Sequence, residues 1–113
     1  MKAKPVKLVD SQWVQVAVDE ATHVILKFPL EFKYLQDRHI PVQLSGSRAA
    51  TNNWSWNGDT EKPTLKPSIL TEFTWGPERT IHRCHSFVND GVVKFLSDCS
   101  HESANKEIEL MEI

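Results

Sequence analysis

Short runs of β-branched and apolar residues, each bounded by turn-forming residues, limit the fold of this sequence more than any other feature. No stretch keeps a 3.6-residue apolar period long enough to predict a helix. Strands are instead predicted over residues 12–18, 22–28, 41–44, 68–75, 80–88, 92–97 and 107–113. The first two runs predict an opening hairpin, and a polar loop is predicted over residues 45–53. The predicted fold is mainly β, a small antiparallel sandwich or partly open barrel of short strands.

Length and charge narrow the classes of function. The chain of 113 residues has the size of one domain, and we expect residues 1–113 to form it. With 13 basic and 15 acidic side chains, a formal net charge of −2 gives no broad positive surface and argues against a nucleic-acid partner. No apolar run has the length of a signal peptide or a membrane span. We therefore expect a cytoplasmic protein without membrane contact.

A two-residue turn at Asp90-Gly91 organises the stretch "RCHSFVNDGVVKFLSDCSH", which holds both cysteines. An Asp-Gly pair between two apolar runs is a strong hairpin signal, because both residues tolerate the positive φ angles of the turn. The turn fixes the register of the two strands. The predicted pairs are Asn89 with Val92, Phe87 with Lys94 and His85 with Leu96.

Side-chain alternation divides this hairpin into two faces. One face is predicted to carry Arg83, His85, Phe87, Leu96 and Asp98, and the other Cys84, Ser86, Ser97 and Cys99. His85 and Asp98 become diagonal neighbours, roughly 7–8 Å apart at the backbone, which an imidazole and a carboxylate can span. Such a pair fixes the tautomer of the ring and stabilises its cation, as a general base requires. The alternative is a solvated cross-strand ion pair without chemistry.

The cysteine face offers a second kind of chemistry. In a reducing compartment the two cysteines are expected to remain thiols rather than form a disulfide. Small buried apolar residues are their simplest role. Alternatively, Cys84, Cys99 and His101 supply three zinc-type ligands, with His23 as a candidate fourth. Because the spacing is not that of a standard zinc site, no metal or cofactor is expected.

The motifs "WSWNGD", "KPTLKPSIL" and "CHSFVNDGVVKFLSDCSH" occur in an order that resembles the BubE family of small bacterial and phage proteins. The resemblance covers about residues 54–101 and, more loosely, His23 in "ATHVIL". It implies a serine-protease-type, deubiquitinase-like peptidase that cleaves at the C-terminus of a ubiquitin-like protein, for maturation or deconjugation. The implied partner is that ubiquitin-like protein or its conjugates. In one departure, "VDEAT" stands where many members carry a CxxC-like pair shortly before the position of His23.

The resemblance also implies roles for individual residues. Its matches fall on Ser68, His85, Asp98 and His101. Ser68 is then the nucleophile, His85 the general base and Asp98 the acid that orients the base. Ser86 is the competing nucleophile, and because it points away from the face of His85, its fallback base is His101.

The surroundings of Ser68 suggest how it is positioned. Pro63 and Pro67 stiffen the segment that carries the hydroxyl, although both prolines also suit an edge strand. Amides of the turn at Asn57 and Gly58 are candidate donors for an oxyanion hole. The alternatives to a peptidase are a zinc-stabilised domain and a non-catalytic β-rich binding module, such as a phage accessory protein.

Overall fold

The protein is mainly β, as the sequence predicts. The structure is a computed structural model that describes residues 1–30, 36–44 and 53–113. Its strands are β1 (Ala3–Val9), β2 (Gln12–Gln15), β3 (His23–Lys27), β4 (Asp37–Leu44), β5 (Trp54–Trp56), β6 (Leu65–Trp75), β7 (Thr80–Asn89), β8 (Val92–Phe95) and β9 (Glu107–Glu109). A short 3-10 helix spans Val18–Glu20. Within these described ranges, no helix is long and apolar enough to cross a membrane.

The strands form a single open mixed sheet. Its order is β2-β1-β3-β4-β5-β6-β7-β8-β9, so most neighbours along the chain are also neighbours in the sheet. Among the described strands, β4 and β5 pair in parallel and the other pairs are antiparallel. The expectation of a purely antiparallel arrangement is therefore wrong at this pair. Nothing in the polar segment between β4 and β5 indicates that the second strand runs parallel to the first. Of the loop predicted over residues 45–53, residues 45–52 lie outside the described residues.

The opening hairpin differs from the predicted one. β1 pairs with β2 on one side and with β3 on the other, so the run at 12–18 does not pair with the run at 22–28. The turn between β1 and β2 uses Asp10 and Ser11 at φ angles of 48° and 65°. Aspartate tolerates this left-handed region, but without a glycine the turn gives a weak signal in the sequence.

The sheet curls so that its two halves bury a common core. The rings of Phe28, just after β3, and Phe95 on β8 meet edge to face with centroids 6.1 Å apart. Beyond β9 the chain returns to the first half of the sheet, where the Met111 amide donates to the Lys27 carbonyl at 3.0 Å. The core includes Val24, Leu26, Phe28, Leu30, Ile40, Val42, Trp56, Leu65, Ile69, Val88, Val93, Phe95 and Leu110.

The β7–β8 hairpin has the predicted register. Asn89 pairs with Val92, and Phe87 pairs with Lys94. The turn residues Asp90 and Gly91 have φ angles of 49° and 76°, both positive as this tight turn requires. The prediction is confirmed because the turn is specified locally, by two adjacent residues.

The far end of this hairpin departs from the prediction. β8 ends at Phe95, two residues before the predicted end, although the Leu96 amide still donates to the His85 carbonyl at 2.9 Å. Ser97 and Asp98 form a turn, closed by the Cys99 amide donating to the Leu96 carbonyl at 3.2 Å. Ser97 is exposed, so its assignment to the cysteine face is wrong, and Asp98 approaches β7 from a turn rather than from a strand.

Candidate active site

Ser68 lies where β6 leaves regular pairing with β7. Leu65 pairs with Val88, whereas Ile69 pairs with Ser86, so β6 advances four residues while β7 advances two. The surplus forms a bulge that includes Ser68. A bulge re-aims the side chains within it, and here the Ser68 side chain is half-buried. Strand alternation alone does not determine where this hydroxyl points.

Neighbouring groups hold the bulge in place. On its β5 side, Lys66 pairs with Ser55. The indole Nε1 of Trp54 donates a hydrogen bond to the Ser68 carbonyl at 3.2 Å. The Lys66-Pro67 peptide bond immediately before Ser68 is cis. Trp54 is thus a support of the serine backbone, a role that the sequence analysis did not assign to it.

His85 connects the Ser68 hydroxyl to the Asp98 carboxylate. Its Nε2 lies 3.0 Å from Ser68 Oγ, and its Nδ1 lies 3.0 Å from Asp98 Oδ2. A carboxylate can only accept, so Nδ1 carries the proton and Nε2 presents a lone pair to the hydroxyl. That tautomer is the one a general base needs. The His85 side chain is 25% exposed and that of Asp98 43%, so the site is open to a substrate.

The residues after Asp98 attach this turn to the backbone of β7. The His85 N–H donates to Cys99 Sγ at 3.2 Å, and the Cys99 thiol donates to the His85 carbonyl at 3.1 Å. Two residues along β7, the Arg83 N–H donates to Ser100 Oγ at 2.8 Å, and the Ser100 N–H donates to the Arg83 carbonyl at 2.9 Å. These bonds continue the pairing of β7 beyond the end of β8. They hold Asp98 against the ring of His85.

A second cluster lies on the inner face, behind the histidine. Donor atoms of Cys84, Cys99 and His101 lie within 4.8 Å of one another, and both cysteines are free thiols. Burial raises the pKa of the Cys84 thiol to about 11, although the nearby Arg38 guanidinium acts in the opposite direction. Burial, and then the charge of Arg38, lower the pKa of His101, so its ring is neutral.

The hydrogen bonding of this cluster does not suit a zinc ion. His101 Nδ1 accepts from the Ser103 amide at 3.2 Å, which places the ring proton on the buried Nε2. A metal at either nitrogen would need a different tautomer or the loss of that bond. His23, the candidate fourth ligand, lies on β3 with Nδ1 2.9 Å from Thr22 Oγ1 and is not among the clustered donors.

The alternative pair of Ser86 and His101 is not joined by a hydrogen bond. Ser86 is fully buried on the inner face, and its Oγ has no hydrogen-bond partner among the described residues. Within those same residues His101 Nε2 also has none, and the ring packs edge-on against Phe95 at a centroid distance of 4.9 Å. Of the four predicted site residues, the structure therefore joins Ser68, His85 and Asp98 and leaves His101 on the other face.

The turn proposed as an oxyanion hole uses much of its own hydrogen-bonding capacity. The Asn57 amide donates to the Thr64 carbonyl at 3.2 Å, and Asn57 Oδ1 accepts from the amides of Asp59 and Thr64. Gly58 follows with a φ of 78°. The Asn57 amide is thus engaged within the turn. The assignment of oxyanion donors stays a prediction.

A hydroxyl, an imidazole and a carboxylate joined in series have the arrangement of the catalytic triad of serine hydrolases. Comparison with family models matches residues 36–96, more than half of the chain, to a family described as bacterial ubiquitination-like system serine protease (BubE). The chain belongs to this family, which confirms the resemblance found in its motifs. Ser68 and His85 lie within the matched segment, and Asp98 lies two residues beyond it. Comparisons with curated proteins and with solved structures find no match.

Proposed function

We propose that this protein is a serine peptidase that cleaves the amide bond at the C-terminus of a ubiquitin-like protein. The observation that carries the proposal is the continuous contact from Ser68 through His85 to Asp98, at 3.0 Å on each side of the ring. The family description supplies the context, a serine protease of a bacterial ubiquitination-like system. The bond cleaved belongs either to a precursor, in maturation, or to a conjugate, in deconjugation.

The proposed reaction uses these three side chains in sequence. Ser68 Oγ attacks the carbonyl carbon of the scissile bond while His85 Nε2 takes the hydroxyl proton, and Asp98 stabilises the imidazolium that forms. The tetrahedral intermediate collapses as His85 returns the proton to the leaving amine, which gives an acyl-enzyme. Water, deprotonated by His85, then releases the ubiquitin-like protein with a free carboxylate and restores Ser68. The mechanism needs no metal or cofactor.

The proposed place of action is the cytoplasm. The sulfur atoms of Cys84 and Cys99 lie within 4.8 Å of each other, yet both residues are free thiols. Neighbouring thiols are typical of a reducing compartment. The partner in this proposal is the ubiquitin-like protein, alone or joined to its targets.

Cleavage of a ubiquitin-like protein that carries a C-terminal extension tests the function. Ser68→Ala and His85→Ala should each abolish cleavage and leave the fold intact, because both side chains lie on the partly exposed outer side of the sheet. Ser97→Ala is the matched control, since Ser97 is an exposed serine next to Asp98 and has no role in the proposed mechanism. Equal cleavage rates for the wild type and Ser68→Ala would refute the proposed function.

A further inference from the structure

Cys84 and Cys99 face each other where the chain returns to β7 after the Asp98 turn. The Ser100 N–H donates to the Arg83 carbonyl at 2.9 Å, which pairs these two residues as in an antiparallel ladder. Cys84 follows Arg83 and Cys99 precedes Ser100, so the cysteines form the next pair of that ladder. Facing residues of an antiparallel pair have Cα atoms about 4.5–5.5 Å apart, within the range that a disulfide spans. The two sulfur atoms lie within 4.8 Å of each other.

Cys99 connects this pair to the candidate active site. Its thiol donates to the His85 carbonyl at 3.1 Å, and its sulfur accepts from the His85 N–H at 3.2 Å. The carboxylate of the preceding residue, Asp98, lies 3.0 Å from His85 Nδ1. A bond to Cys84 brings the two sulfurs to about 2.05 Å and removes the proton that Cys99 donates to His85. Oxidation of the pair therefore acts directly on the backbone of the histidine.

The two thiols differ in their access to an oxidant. Cys99 is 9% exposed, at the edge of the core, whereas Cys84 is 1% exposed. Burial also raises the pKa of Cys84 to about 11, so its reactive thiolate is scarce at ordinary pH. A small oxidant therefore reacts first at Cys99, and Cys84 lies beside it as the second thiol.

We propose that Cys84 and Cys99 form an oxidation site for peroxides, and that the resulting disulfide inactivates the candidate active site. The Cys99 sulfur attacks one oxygen of hydrogen peroxide, the O–O bond breaks, and one water leaves as Cys99 becomes a sulfenic acid. The Cys84 sulfur then attacks the Cys99 sulfur, the S–O bond breaks, and the departing hydroxide takes the Cys84 proton to form a second water. Two thiols are thus oxidised to a disulfide while one peroxide is reduced to two waters.

The inactivation rests on the proposed peptidase function, whereas formation of the disulfide does not. The whole protein is treated with hydrogen peroxide, and catalase then removes the excess. A fluorophosphonate is added for a fixed time, after which the protein is denatured and its remaining thiols are alkylated with iodoacetamide. Intact mass spectrometry without reductant then measures the thiol state and the serine label in the same molecule.

Molecules with the disulfide should be labelled about tenfold more slowly than reduced molecules of the same sample, the factor expected when a hydrogen bond to the base is lost. Dithiothreitol should restore the rate. Cys84→Ala is the matched control, because it removes the second thiol and keeps Cys99. The reduced variant should be labelled at the wild-type rate and should form no internal disulfide.

Each possible failure has its own signature. If both thiols remain open to alkylation at a peroxide dose that oxidises the exposed Met111, the oxidation site is wrong. If molecules with the disulfide are labelled as fast as reduced ones, the disulfide forms without inactivating the site, and the proposal is wrong. If the reduced wild type is not labelled at Ser68, the peptidase function is wrong and the inactivation falls with it, while alkylation still shows whether the disulfide forms.

Discussion

Replacement of Asp98 by asparagine separates the carboxylate's charge from its shape. In the wild type, Asp98 Oδ2 lies 3.0 Å from His85 Nδ1 and fixes the proton on that nitrogen. Asparagine keeps the size of the side chain, but it carries no charge and can also present an amide N–H to the ring. The imidazolium that forms when Ser68 is deprotonated would then lack its counter-charge. The ring would also populate the tautomer that cannot accept the serine proton.

The size of the effect follows from the exposure of this pair. A hydrogen bond to a charged group contributes about 1.5–3 kcal/mol. Asp98 is 43% exposed, so water screens part of the charge, and we take the lower half of that range. About 2 kcal/mol of lost transition-state stabilisation lowers kcat/KM roughly 30-fold. Global stability should change by less than about 0.5 kcal/mol, as for most exposed positions.

Two measurements test this prediction. The first is kcat/KM for cleavage of the ubiquitin-like fusion, and the second is the rate of Ser68 labelling by a fluorophosphonate, which requires the same deprotonation but no bound tail. Both should fall together in Asp98→Asn. The control is Asp19→Asn, which removes an exposed carboxylate from the 3-10 helix and should leave both rates unchanged. A loss of less than about twofold in Asp98→Asn would refute the reasoning.

Three further predictions follow from the surroundings of the triad. Cys99→Ala removes both thiol contacts to the His85 backbone and should lower kcat about tenfold with KM unchanged, whereas Cys99→Ser should retain more activity. A rise in KM with kcat unchanged would contradict this positioning role. Because the pKa of Cys84 is raised from 9.0 to about 11, the unfolded thiol ionises first, and the free energy of unfolding should decrease as pH rises from 9 to 11. Urea denaturation of Cys84→Ala should lack this contribution, and parallel pH curves for the two proteins would show that it is wrong. Dialysis against EDTA should leave cleavage unchanged, and an activity that is lost and then restored by zinc would overturn the metal-free mechanism.

Parts of the fold could be predicted because their determinants are local. The register of the β7–β8 hairpin depends on the adjacent residues Asp90 and Gly91, whose backbone conformations few other residues adopt easily. This register brought Asp98 near His85 in the prediction. The contact occurs although Asp98 lies in a turn, because the residues after it remain bonded to β7.

Other parts depend on partners distant in sequence and gave no local signal. The bulge at Ser68 lies in a strand that pairs with β5 on one side and with β7 on the other, both distant in sequence from the turn signals. Alternation within β6 therefore does not predict that its hydroxyl reaches His85. The family resemblance, rather than the residue pattern, indicated Ser68 as the nucleophile. Similarly, nothing local indicates that Cys99 holds the backbone of His85.

The opening hairpin shows a third kind of limit. Its turn at Asp10 and Ser11 lacks glycine, so the sequence signal favoured a different pair of strands. In β1, Lys4 and Lys7 flank the buried residues Pro5 and Val6, so the run has no clear apolar alternation, and the strand was missed. β1 forms a strand because its residues are buried in the curled sheet, and not because they have a strong intrinsic preference for strands.

The most direct test of the central claim is to identify the residue that a fluorophosphonate modifies. In that reaction the activated oxygen bonds to phosphorus, fluoride leaves, and the histidine takes the hydroxyl proton. Peptide mass spectrometry of the wild type should find one adduct, on Ser68, and His85→Ala should not acquire it. An adduct on Ser86, or labelling of Ser68 that persists at the wild-type rate in His85→Ala, would contradict the account.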